Sequence, residues 1–226
     1  MAKYVVEFSK TGTICYTSHL DIMRMFKRIF KRADIRLAYS QGFNPHPKMG
    51  FAQPLSLGYE GIREFIEFET VEGMDEEEIL ARLKAIMPAG IELKRCISGD
   101  HLRKTLSAMT EAAKYSAFLP AHGMKPETAK NILTGYIEQD KIITLKKQKK
   151  KKELKEVDIK PMIRALDVDS EGETLMLHMT LDQGSTSNLS PELVIKTFID
   201  FAGLDIQRSD VAVRRDEIIF AGGLSL

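Results

Sequence analysis

The chain has 226 residues, room for one large domain or two of about 100 residues each. With 43% hydrophobic and 29% charged residues it reads as a folded globular protein, not a disordered one. No run nears the ~18 apolar residues of a membrane span. The strand-like start lacks the apolar core of a signal peptide, and Cys15 and Cys96 suggest no disulfide framework, so a reducing, cytoplasmic setting is expected.

Residues 3–9 alternate, with Tyr4, Val6 and Phe8 on one side, as a half-buried strand does. After a turn at Lys10-Thr11-Gly12, the segment Thr13–Tyr16 reads as extended. Ser18, followed by Asp21 three residues on, opens a helix that runs to about Ala33. Leu20, Met23, Phe26, Ile29 and Phe30 form its expected apolar face. Arg24, Lys27, Arg28 and Lys31 recur at three- and four-residue steps and share the opposite face.

The segment Tyr39–Lys48 then holds a glycine, two prolines and two aromatics. It reads as a stiff extended loop presenting polar heads, because the residues before Pro45 and Pro47 are driven from helical geometry. A short strand at Gly50–Ala52 follows, then a strand over Ile62–Val71. The acids Asp75–Glu78 suit the N-terminus of a helix that ends at Met87-Pro88, and Ile91–Ile97 is a strand.

The second half repeats the order. Strands are expected at Ala112–Leu119, Lys141–Lys147, Val157–Leu166, Thr174–Leu181 and from Ile206 onward, with helices over Pro126–Gln139 and Pro191–Ala202. The fold class is α+β: two ferredoxin-like βαββαβ modules in tandem, each an antiparallel sheet with helices on one face. They span 1–98 and 110–226, the second carrying a lysine-rich hairpin.

Charge is strongly segregated behind a net value of +1. Six basic residues lie between Asp21 and Arg36, nine acids between Glu60 and Glu78, and Lys146–Lys152 is lysine except at Gln148. Patches of this kind attract polyanions irrespective of the total. Arg24, Lys27, Arg28, Lys31 and Lys48 are therefore the candidate phosphate contacts. Tyr39, Gln41, Phe43, Asn44 and His46 are the candidates for substrate recognition, with Tyr39 and Phe43 able to stack on bases.

Other chemistries find less support. An iron–sulfur cluster takes three closely spaced thiolates, and this chain has two distant ones. His19, Asp21 and His46 have no zinc-like spacing, and no metal is expected. His19 and His46 could serve a metal-independent endoribonuclease if a fold brought them together. A third reading is a protein–protein adaptor that docks through the loop and the acidic segment Glu60–Glu78.

Phe8-Ser9-Lys10-Thr11-Gly12, Ser18-His19-Leu20-Asp21, Tyr39-Ser40-Gln41-Gly42-Phe43-Asn44-Pro45-His46-Pro47 and Ala52-Gln53-Pro54-Leu55-Ser56-Leu57-Gly58 stand in that order. Together they resemble a bacterial family of radical-SAM-linked proteins, a domain of unknown function found free or at the C-terminus of a radical SAM protein. The resemblance is dense from Tyr4 to Phe68. It implies a radical SAM partner that carries the iron–sulfur cluster and S-adenosylmethionine, no cofactor on this chain, and a genetic setting near RNA processing. The expected function is recognition of an RNA or ribonucleoprotein substrate for that partner.

Overall fold

The structure, a computed structural model, describes all residues except 121, 122, 148–153 and 225. The expected lysine run 146–152 lies largely outside the described residues, and His122 does so too. By contacts the chain divides into two units. The first comprises Met1–Thr110 with Arg215–Leu226, the second Glu111–Arg214. The sequence reading assigned 110–226 to one module. The last twelve residues instead pack with the first unit, because Arg215, Ile218, Phe220 and Leu226 bury their side chains there.

In the first unit the order is β1 (Ala2–Lys10), α1 (His19–Arg32), β2 (Met49–Phe51), β3 (Glu60–Thr70), α2 (Glu76–Lys84), β4 (Ile91–Ser98) and α3 (Leu106–Met109). β1 lies between β4 and β3, and each of these pairs is antiparallel. β2 covers only Ile66–Phe68 of β3, also antiparallel. The late strand β10 (Ala212–Phe220), most of which falls in this unit, joins the sheet beside β3.

Alternation decides what each face of the sheet meets. Tyr4, Val6, Phe8, Ile66 and Phe68 pack against Ile22, Phe26, Ile29 and Phe30 of α1 and Ile79 and Leu83 of α2. Ser18 caps α1, its Oγ accepting from the Asp21 N–H at 3.2 Å, and Asp75 caps α2 through Glu78 N–H at 3.0 Å. Val5 and Phe65 have the opposite parity and are covered by Ala52, Leu106, Ile218, Phe220 and Leu226. The sheet is thus covered on both faces, whereas helices were expected on one. Successive buried residues in β1 are the mark of such a strand.

The second unit runs β5 (Thr110–Pro120), α4 (Pro126–Glu138), β6 (Ile143–Lys147), β7 (Leu154–Asp158), β8 (Ile163–Glu171), β9 (Thr174–Asp182) and α5 (Pro191–Ala202). β9 pairs antiparallel with β5 and with β8, while β6 and β7 form a separate two-stranded ribbon. Tyr136 of α4 meets Phe198 of α5 edge-on at 5.5 Å and hydrogen-bonds Thr197 at 2.7 Å.

Two further expectations change. The strand expected over Val157–Leu166 is broken by a 3-10 turn at Lys160–Met162, where Pro161 supplies no N–H to a ladder. The segment Thr13–Tyr16 is not extended but part of a 3-10 turn over Gly12–Tyr16. Among the described residues no helix is long and apolar enough to cross a membrane.

Candidate recognition surface

The loop that dominates the sequence leaves α1 by a short turn and is stapled at its base. Tyr39 and Pro47 bridge antiparallel, and Ser40 N–H donates to the His46 carbonyl at 2.9 Å. Ser40 Oγ accepts from His46 N–H at 3.0 Å. Below that, Ala38 N–H reaches the Glu69 carbonyl and Lys48 N–H the Ala38 carbonyl, both at 2.8 Å. Gly42 sits at φ 122°, a conformation side chains disfavour, and turns the tip. Gln41, Phe43, Asn44 and His46 all face solvent, and Phe43 is 112% exposed. The loop is therefore a closed protrusion rather than an open extended strap, and its apex is an aromatic ring with nothing packed on it.

The basic face of α1 lies on the solvent side as its spacing requires. Lys27, Arg28, Lys31 and Arg32 are exposed and form no ion pair among the described residues. Arg24 is already paired with Asp21 at 2.9 Å. Lys48 is also engaged, its Nζ 2.6 Å from Glu69 Oε2, so it pins the loop base instead of standing free. Leu20, expected on the apolar face, is 65% exposed, and Ile22 takes the buried position. The end of α1 and the loop base share one end of β3. Phe30 packs on Phe68 at 4.5 Å, and the next residue, Glu69, holds both Ala38 and Lys48.

The other three motif segments converge elsewhere. Lys10, His19, Gln53 and Leu55 line a cleft with Phe8, Ile22, Phe51 and Glu64. Its interior space is about 20 Å³, room for about one water. Glu64 and Lys10 occupy the helix-side face of the sheet and are each 3% exposed. Glu64 accepts two hydrogen bonds from Arg215, Nε at 2.8 Å and Nη2 at 2.5 Å. The same guanidinium donates to the carbonyls of Gln53 and Pro54, each at 3.1 Å. Gly61 makes room for this pair, since a Cβ there would lie 2.5 Å from Glu64 Oε1.

Lys10 explains the 3-10 turn. Its ammonium donates to the carbonyls of Cys15 at 3.2 Å and Thr17 at 3.1 Å, groups an extended segment would have paired in a sheet. Burial lowers the Lys10 pKa, with Arg215 adding to the effect and Glu64 opposing it. His19 is lowered too, first by burial and then by Lys10 and Arg215, and its ring meets Phe51 edge-on at 5.3 Å. It is a neutral wall of a water-sized cleft. His46 lies before the other end of β2, bonded to Ser40 and two residues ahead of the Lys48 that Glu69 holds. Five residues of β3 separate Glu64 from Glu69, about 17 Å at the usual rise. The structure does not bring His19 and His46 together, nor either of them to Asp21, which turns to Ser18 and Arg24.

Lys10, Gln53, Glu64 and Arg215 were not among the sequence candidates. The signal for two of them was present: Lys10 continues the Tyr4-Val6-Phe8 parity, and Glu64 that of Ile66 and Phe68. In the second unit Ser116, His178 and Asp169 line up across β5, β9 and β8, with Ser116 Oγ 2.9 Å from Nδ1 and Asp169 Oδ2 3.5 Å from Nε2. Ser116 is only 1% exposed, so its hydroxyl is closed to a substrate.

Both thiols are muted. Burial raises the Cys15 pKa, and burial with Glu76 and Asp75 pushes Cys96 up to about 12. At pH 8 the native chain is expected to give negligible reaction with an aromatic disulfide reagent over minutes, and two equivalents once denatured. Rapid native labelling at either cysteine would contradict this placement.

These elements make the chain an α+β protein with a mostly antiparallel sheet, a basic helix face and a stapled aromatic loop. Residues 3–191 match the family described as "Uncharacterized protein conserved in bacteria (DUF2344)", and the chain belongs to that family. No curated protein matches it. Among solved structures it is similar to a chain of "Crystal Structure of a Cbf5-Nop10-Gar1 Complex", with TM-score 0.52 and 12% identity. That likeness covers 95% of this chain but 48% of the other, so this chain spans about half its length, and it speaks for the fold alone. A second match, "Crystal Structure of an Unknown Protein from Galdieria sulphuraria", has TM-score 0.29 at 12% identity over 96% of this chain and 98% of that one.

Proposed function

We propose that this protein recognises a single-stranded RNA or ribonucleoprotein substrate and presents it to a partner radical SAM enzyme in the cytoplasm. The partner, on this reading, carries the iron–sulfur cluster and S-adenosylmethionine, and both halves of the chain are ferredoxin-like modules. One observation carries the proposal: four exposed cations of α1, without ion-pair partners among the described residues, lie at the same end of β3 as a stapled loop with Phe43 at its apex. Cations neutralise phosphates, and an unpacked ring offers a stacking platform that any base can use. Fixing the loop in advance lowers the entropy lost on binding.

The test is a titration with short single-stranded RNA, run beside Phe43→Ala. The ring touches nothing that holds the fold, so the unfolding midpoint should stay unchanged while RNA affinity drops roughly tenfold, the worth of about one stacked base. Absent RNA binding, or binding indifferent to salt, removes the reading. Retention of the radical enzyme after nuclease treatment, without any RNA affinity, would assign the loop to a protein partner instead.

A further inference from the structure

The cleft of Lys10 and His19 is bordered by the first turn of α1 and the segment after β2, and both leave apolar side chains in water. Tyr16 is 74% exposed, Leu20 65% and Leu57 63%, and none of the three packs in the core. Leu20 follows His19 in sequence, and Leu57 lies two residues beyond Leu55; His19 and Leu55 themselves line the cleft. The Tyr16 ring lies over Gly58, where a Cβ would be 3.9 Å from it, and Gly58 N–H donates to the Cys15 carbonyl at 2.9 Å. Backbone hydrogen bonding thus holds Tyr16 beside Leu57. Large apolar side chains gathered on a folded surface mark a contact for another molecule.

The cleft they border offers donors to a guest. The Lys10 ammonium uses two of its three N–H groups on the carbonyls of Cys15 and Thr17. The His19 ring has no hydrogen-bond partner among the described residues, only the edge-on contact with Phe51. Glu64 is the one carboxylate on the wall, and Arg215 takes both of its oxygens. The local field is positive: burial lowers the His19 pKa, and the charges of Lys10 and Arg215 lower it further. Space for about one water admits a single oxygen atom of a guest, not a phosphate with its several oxygens.

We propose that this face docks a partner protein through one acidic side chain, a carboxylate oxygen entering between Lys10 and His19 while flanking aliphatic residues cover Tyr16, Leu20 and Leu57. A carboxylate is preferred to an amide because bonds from the Lys10 ammonium and the imidazole N–H are stronger to a charged acceptor. A basic segment would meet the positive field, and RNA would leave three apolar side chains against its phosphates. Neighbouring carboxylates do not oppose the guest. Asp21 is turned to Ser18 and Arg24, and Glu60 accepts from Gly12 N–H at 2.8 Å. Lys31 stands about 17 Å along α1 from Leu20, so a partner here leaves the helix cations open. The inference goes beyond the reading of α1 and the loop as an RNA surface and does not need it.

The experiment titrates the full chain with acetyl-Leu-Glu-Leu-amide and acetyl-Leu-Gln-Leu-amide, following the backbone amides of Leu20, Phe51 and Gly58 by NMR. The glutamate peptide should bind in the millimolar range, about five- to tenfold tighter than the glutamine peptide. His19→Phe keeps a ring on Phe51 and removes the donor, so the two peptides should become nearly equal. Leu57→Ser should weaken both by about threefold and leave the unfolding midpoint in place, because that side chain is already in water. Neither variant should change affinity for short single-stranded RNA.

Equal binding of the two peptides by the native chain, no shifts from either, or a glutamate preference that survives His19→Phe overturns the proposal. Acetate binding as tightly as the glutamate peptide would make this a small-anion site and overturn the docking role. Shifts of the same three amides by single-stranded RNA would overturn it as well. A glutamate preference in a chain without RNA affinity would support the docking face and remove only the RNA reading.

Discussion

Arg215→Ala is expected to destabilise the first unit by about 3–5 kcal/mol, the usual consequence of removing one partner of a buried ion pair. Arg215 is 1% exposed and Glu64 3%, so water cannot replace the lost donors. The substitution strands a carboxylate and also frees the carbonyls of Gln53 and Pro54, which hold the strap after β2. The pair is not expected to be a large net source of stability, since desolvation of both charges offsets much of their attraction. Arg215→Met with Glu64→Leu should therefore be far less damaging than either single change. Urea unfolding read by amide exchange at Phe8 and Phe65 measures this. A loss below about 1 kcal/mol for Arg215→Ala would show that the guanidinium does not anchor the sheet.

The same ion pair marks the boundary of what the sequence could say. α1 was legible because its determinants are local: Ser18 caps it, Asp21 sits in its first turn, and cations recur at helical spacing. α5 was legible for the same reason, with Pro191 at its first turn and Gly203 ending it at φ 62°. Gly42 and the two prolines announced a loop, but its closure depends on the pairing of Tyr39 with Pro47 and on Glu69, which lies 21 residues beyond Lys48.

The contact between Arg215 and Glu64 spans 151 residues, and no periodicity encodes it. It is also what draws the last strand back to the first unit. The 3-10 turn at Gly12–Tyr16 was missed for a different reason: the Lys10 ammonium, only five residues before Cys15, holds the Cys15 and Thr17 carbonyls, a side-chain contact that no periodicity announces. Charges at Lys10 and Glu64, on a parity otherwise filled by Tyr4, Phe8, Ile66 and Phe68, were the one available clue. The basic face was read correctly as a face, whereas the pairing of Arg24 with Asp21 and of Lys48 with Glu69 became visible only with the side chains in place.

That distinction sets the second large effect. Lys27→Gln, Arg28→Gln and Lys31→Gln together are expected to weaken binding of single-stranded RNA about a hundredfold near 0.1 M salt. Each phosphate contact on a single strand contributes about −0.7 to the slope of log K against log salt. Four contacts from Lys27, Arg28, Lys31 and Arg32 would give a slope near −2.8, about a fifty-fold loss between 50 and 200 mM salt. Neutralising three should bring the slope to about −0.7. Glutamine is chosen over glutamate because acids near the C-terminus of α1 would oppose its dipole and confuse lost contact with lost helix. Arg24→Gln is the internal comparison. Its guanidinium already faces Asp21 at 2.9 Å, so it has less charge to give a phosphate and its loss should change the slope least. A triple variant that binds as tightly as the parent, or a slope unchanged within error, would place the RNA away from α1 and leave its cations as a solvated helix face.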